Sequence, residues 1–146
     1  MKGYLLDTNV LIALLWPTHA SHDIVMKWFV RHRSRGWVSC PLTQGGFVRI
    51  VSNPAFSRDA VTPLEAARLL AANTAADDHA FWPDDLPFAA AAGFAGTRLV
   101  GHQQVTDVYL LGLALRNGGR LVTLDKGIAD LTAPGSVERK NLDVIA

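Results

Sequence analysis

Gly3-Tyr4-Leu5-Leu6-Asp7-Thr8-Asn9-Val10-Leu11-Ile12-Ala13-Leu14-Leu15 is the stretch on which the fold turns. Gly3 to Leu6 reads as a short buried strand, and Val10 to Leu15 is an apolar run that Pro17 ends. Asp7 stands between them, a carboxylate at the C-terminal end of a strand.

Working outward, Ile24, Val25, Trp28 and Phe29 recur at helical spacing between Ser21 and His32, with Ser21 placed as N-cap. Trp37 to Cys40 is strand-like, Pro41 interrupts it, and Leu42 to Val51 predicts a helix stopped by Asn53 and Pro54. Thr62-Pro63-Leu64-Glu65 is a capping box with proline at the first helical position, opening a helix to about Asn73. His79 to Trp82 is a weak strand candidate. Thr106 to Asn117 carries Val108, Leu111 and Leu115 on one face, and Gly118-Gly119 supplies its stop. Arg120 to Leu124 is a second clear strand, followed by Asp125. Short apolar strands alternating with helices predict an α/β fold, a parallel sheet covered on both faces. Ligands of such sheets bind at the C-terminal ends of the strands.

Residues 1–146 read as one domain: there is no repeat, linker or composition break, and the alanines at 89–92 are the one anomaly. Hydrophobic residues make up 49% and charged residues 18%, which excludes a disordered or highly charged chain. The longest weakly polar stretch, Phe88 to Ala95, is far short of a membrane span, and residues 1–6 lack a secretory pattern. The expected location is the cytoplasm. Cys40 is the single cysteine, so a bound metal would sit on oxygen or imidazole. Net charge is +1, which names no partner. Arg31, His32, Arg33 and Arg35 are clustered, with Arg49 and Arg58 beyond. They suit a solvated helix end slightly better than a phosphate-binding patch.

Three acids stand where the element order gives them chemical meaning. Asp7 and Asp125 each follow a strand, and Asp107 opens a helix leading into a strand, which must begin near the same sheet edge. Three neighbouring carboxylates are costly unless a cation compensates them. Mg²⁺ favours a few carboxylates, retained waters and phosphate oxygens, so metal-assisted phosphodiester hydrolysis is the chemistry this pattern suits. Each acid also has a structural reading: Asp7 as a helix cap, Asp107 as a first-turn charge, Asp125 as a turn residue.

Leu5-Leu6-Asp7-Thr8-Asn9-Val10-Leu11-Ile12 resembles the opening motif of PIN-domain ribonucleases, particularly the VapC toxins of bacterial toxin–antitoxin pairs. Thr106-Asp107-Val108-Tyr109-Leu110 resembles that family's third-acid helix, and Leu121-Val122-Thr123-Leu124-Asp125 its fourth-acid strand. The motifs stand in family order and span nearly the whole chain. The resemblance implies a three-layer α/β/α sandwich with a central parallel sheet, and endonucleolytic cleavage of RNA with Mg²⁺ or Mn²⁺. It also implies a homodimer and inhibition by a cognate VapB-like antitoxin covering the acidic pocket. Carried over by position, Asp7, Asp107 and Asp125 bind metal, Thr8 and Asn9 orient the first acid and a bound water, and Thr123 supports the site through its hydroxyl. The family's second acid is commonly a glutamate, whereas Thr43-Gln44-Gly45-Gly46-Phe47-Val48-Arg49 holds Gln44 there. An amide brings no charge, so metal affinity should fall, and a glutamate at 44 should raise it. The alternative that follows is a weakened or inactive PIN fold that binds RNA or antitoxin without cutting.

Glu65 is accounted for by its capping box. His102 is expected on a loop before Asp107, where contact with RNA and no role at all are comparable readings. The four tryptophans and the phenylalanines are expected mostly in the core or an interface. A dehalogenase-like phosphatase would need an aspartate at position 9, where this chain has Asn9, and a receiver domain would need paired acids near Asp7.

Overall fold

The computed structural model describes residues 2–145. Five parallel strands, β1 (Tyr4–Leu6), β2 (Trp37–Ser39), β3 (His79–Phe81), β4 (Arg120–Thr123) and β5 (Leu142–Val144), form one sheet in the order β3-β2-β1-β4-β5. Tyr4 is in register with Trp37 on one side and with Arg120 on the other. The chain lays β2 and β3 to one side of β1, then returns to place β4 and β5 on the opposite side. Strand order therefore reverses between β1 and β4. In open α/β sheets that reversal opens a crevice at the carboxyl ends of the two strands.

Helices cover both faces, as expected of a PIN-like sandwich. Side chains alternate across a strand. Tyr4 and Leu6 pack with α1 (Thr8–Leu15), α2 (His22–His32), α3 (Pro41–Val51) and α4 (Pro63–Thr74). Leu5, Val38 and Leu121 pack on the other face with α5 (Phe88–Ala95) and α6 (Val105–Arg116). A short α7 (Val137–Lys140) precedes β5.

Local chemistry explains the boundaries. Asp7 caps α1, its Oδ1 accepting from Val10 N at 2.8 Å, so the helix starts at Thr8, earlier than the apolar run suggested. The Thr62–Glu65 capping box forms in both directions. Pro41 is the first residue of α3, where its missing N–H is harmless. Gly118 follows α6 with φ of +67°, a left-handed conformation that stops the helix. Ser21 stands at the N-cap of α2, but its side chain makes no capping bond. The alanines at 89–92 belong to α5, an element for which the sequence offered no periodic face, and the region of α7 and β5 had no clear pattern either. Among the described residues no helix is long and apolar enough to cross a membrane.

Candidate active site

Asp7 leaves the C-terminal end of β1 and is only 6% exposed. Its Oδ1 is held by Val10 N, and its Oδ2 accepts from the Thr123 hydroxyl at 2.5 Å. That hydroxyl in turn accepts from Asp125 N at 3.0 Å, so one threonine fastens the end of β4 to the end of β1. Burial raises the Asp7 pKa to about 6; the Thr123 and Val10 hydrogen bonds pull against the rise, and the charge of Asp125 adds to it.

Asp107, in the first turn of α6, faces Asp7 across a cavity of about 180 Å³. Its pKa is likewise raised to about 6, first by burial and then by the charges of Asp7 and Asp125. The same cavity is bordered by Thr8, Asn9, Arg49 and Thr106. Thr8 also sits against α3 where Gly46 leaves room: a Cβ at Gly46 would lie 2.8 Å from Thr8 Oγ1.

Asp125 lies at the same sheet edge but is exposed and does not border the cavity; its Oδ1 accepts from Gly127 N at 2.8 Å in a turn. Its charge reaches both other acids. Among the described residues, no three or more His, Cys, Asp or Glu side chains gather tightly enough to hold one ion together. The donor set facing the cavity is thus the Asp7–Asp107 pair, which suits Mg²⁺: that ion takes one or two protein carboxylates and keeps several waters. A buried carboxylate and a half-buried one that repel each other are also groups a divalent cation stabilises strongly.

Gln44 is turned elsewhere. Its Nε2 donates to Ser39 Oγ at 2.9 Å, the Ser39 hydroxyl lies 2.7 Å from His79 Nε2, and Gln44 borders a separate cavity between α3 and α4. Arg49 borders both cavities. The Arg31–Arg35 cluster precedes β2, at the edge of the sheet opposite the acids. Arg33 there pairs with Asp78 at 2.6 Å and stacks over Phe29, and His32 stacks on Trp28, so the helix-end reading describes them and a place beside the acids does not. His102 is exposed in a 3₁₀ turn ahead of α6 and does not border the acid cavity. Arg49 is the cation that the tertiary structure delivers to the acids, and Thr106 is a bordering residue whose signal in the sequence was only its place beside Asp107.

Residues 4–134 match the PIN domain family model. The chain belongs to the PIN-domain family. Within it the similarity is to the VapC group: the chain is 47% identical to Ribonuclease VapC39 of Mycobacterium tuberculosis over 136 residues, covering 92% of this chain and 96% of that protein. Ribonuclease VapC38 of the same organism is 42% identical over 87% of this chain and 88% of its own length, and Ribonuclease VapC44 39% identical over 92% and 94%. For a PIN domain of the VapC type, the crevice between β1 and β4 is the place where the fold itself puts a site, and that is where Asp7 and Asp107 meet.

Proposed function

We propose that this protein is the toxin of a bacterial toxin–antitoxin pair, a divalent-metal-dependent endoribonuclease acting in the cytoplasm. The observation that carries the reading is the cavity at the strand-order reversal, where the carboxylates of Asp7 and Asp107 face one another beside the cation of Arg49. In it, Asp7 and Asp107 hold Mg²⁺ or Mn²⁺, and Asp125 adds negative charge from the rim. When bound there, the ion would supply Lewis-acid polarisation of a phosphodiester and a lowered pKa for a water beside it. Thr123 and Val10 N fix the Asp7 carboxylate in one orientation, so no side-chain rearrangement is needed as charge develops. Asn9, exposed at the cavity mouth, offers an amide to a water in the cavity, Thr8 braces the turn against α3, and Arg49 offers its guanidinium to the substrate phosphate. The position of Gln44 in the neighbouring cavity supports activity over an inactive fold, because its missing charge is not missing from the acid pair.

The partners in this reading are an RNA substrate, a VapB-like antitoxin that occupies the acidic cavity, and a second copy of the chain. Exposed Phe94 and Val100 on and after α5 supply apolar surface for the dimer. Purified protein freed of antitoxin is expected to cut RNA with Mg²⁺ or Mn²⁺ and to stop with chelator or with Asp7→Asn. Failure to cut a broad RNA panel, with Asp7→Asn leaving growth inhibition unchanged, overturns the reading.

A further inference from the structure

A further cavity, of about 260 Å³, adjoins the acid cavity and shares Thr106 with it. We propose that this adjoining cavity is a nucleobase subsite that receives the base beside the scissile phosphate and favours guanine. The proposal rests on the ribonuclease reading above and adds a substrate preference to it.

The chemistry of the walls carries the assignment. Phe88, at the start of α5, lies parallel to Tyr109 of α6, with planes 12° apart and centroids separated by 6.1 Å. Tyr109 is buried and backs the pair, whereas Phe88 keeps 43% of its surface exposed. An exposed, rigidly backed aromatic ring is a platform on which an unstacked base can lie. Leu42 and Val105, both partly open to solvent, complete an apolar slot. At the slot's border stands Asp84, whose Oδ2 accepts from Leu42 N at 3.1 Å in the first turn of α3. That bond, with the Cys40 thiol beside the same carboxylate, fixes its orientation, and as an exposed carboxylate with several acceptor sites it can still take a further donor.

An ionised carboxylate only accepts. Guanine presents an imino and an amino donor side by side on its Watson–Crick edge. Adenine and cytosine present one amino group beside a ring acceptor, and uracil sets its imino group between two carbonyls. The slot therefore matches guanine and opposes uracil. A second copy of this chain would cover the same apolar side chains, but it would also have to bury Asp84, and none of the residues bordering the slot is a cation to pair with it. Continuity through Thr106 is what makes the slot part of an RNA path: a strand with its phosphate at Asp7 and Asp107 has the adjoining base within reach of Phe88.

The test uses the full-length protein in EDTA and four fluorescent RNA hexamers, uridine throughout except for guanine, adenine, cytosine or uracil at one central position. Anisotropy is expected to show the guanine hexamer bound about tenfold more tightly than the uracil one. Asp84→Asn keeps an acceptor for Leu42 N while turning an amide donor toward the base, and is expected to erase the guanine preference. Phe88→Ala is expected to weaken all four by about tenfold, with Phe88→Trp restoring binding. Equal binding of the four hexamers, binding of none, or a ranking untouched by Asp84→Asn overturns the subsite. So does a Phe88→Ala protein whose mass in solution falls to that of a monomer with its base ranking intact, which assigns the slot to a second copy. Cleavage of a long mixed RNA with Mg²⁺ is measured separately. Guanine ranking without cleavage overturns the catalytic reading and supports the slot, whereas cleavage without ranking overturns the slot alone.

Discussion

Thr123 donates from its hydroxyl to Asp7 Oδ2, joining the ends of two strands that are neighbours in the sheet and far apart in the chain. The bond favours the ionised form of a carboxylate that burial would otherwise keep protonated. Thr123→Val keeps the shape and removes the donor. Loss of a hydrogen bond to a charged group is worth about 1.5–3 kcal/mol, or roughly one to two pKa units. In metal-free protein the Asp7 carboxyl, followed by carbon NMR, is expected to titrate clearly above its present value of about 6. A midpoint left in place shows that the hydroxyl does not control this acid.

Asp7 should trade stability for function. Its pKa is raised from 3.8 to about 6 on folding, so its contribution to stability is full below pH 4 and is lost as the pH climbs through 6. At pH 7.5 the ionised group costs about 3 kcal/mol. Asp7→Asn is therefore expected to abolish RNA cleavage while raising the melting temperature in EDTA by several degrees at pH 7.5, with the gain vanishing near pH 4. Asp107, shifted in the same direction, leaves part of the slope in that variant. Calorimetry across pH decides this, and a destabilised Asp7→Asn at pH 7.5 contradicts it.

The place of Gln44 reverses one expectation drawn from the sequence. A glutamate at 44 was expected to raise metal affinity, yet the side chain binds Ser39 and borders the cavity between α3 and α4. Gln44→Glu is now expected to leave Mg²⁺ affinity within about twofold by titration calorimetry and to lower stability by about 1–3 kcal/mol, because a carboxylate cannot donate to Ser39 Oγ. A large gain in Mg²⁺ affinity places position 44 at the metal after all.

Two adjacent glycines on α3 should respond oppositely. A Cβ at Gly45 meets nothing within 4 Å, and Gly45→Ala is expected to stabilise by up to about 1 kcal/mol through helix propensity. A Cβ at Gly46 would press on Thr8 Oγ1 at 2.8 Å and Cγ2 at 2.9 Å. Gly46→Ala is expected to cost about 1–3 kcal/mol and to slow cleavage, since Thr8 follows Asp7 directly. Paired thermal melts and cleavage rates check both signs.

Where the chain wrote its structure in local chemistry, the sequence was readable. The strand before Asp7, the capping box at Thr62, the glycine stop at Gly118 and the apolar face of α6 each depend on near neighbours, and each appears in the structure. The helix at 88–95 was not readable: Ala89 to Ala92 show no apolar stripe, and the segment is fixed by packing on α6, where a Cβ at Gly112 would come within 2.8 Å of Ala91. At the site, the element order alone put Asp7, Asp107 and Asp125 at one sheet edge, because a parallel sheet leaves few places for the end of a strand and the start of the helix before the next one.

The sequence by itself thus determined the parallel α/β fold, its PIN-type motifs and the edge on which the acids stand. Tertiary structure decided which groups meet there. It paired Asp7 with Asp107, left Asp125 at the rim, brought Arg49 to the cavity, and sent Gln44 to Ser39 and the Arg31–Arg35 cluster to the far edge. The physical reason is that hydrophobic period and end signals act over a few residues, whereas the direction of a polar side chain at a helix start depends on partners contributed by distant strands and helices.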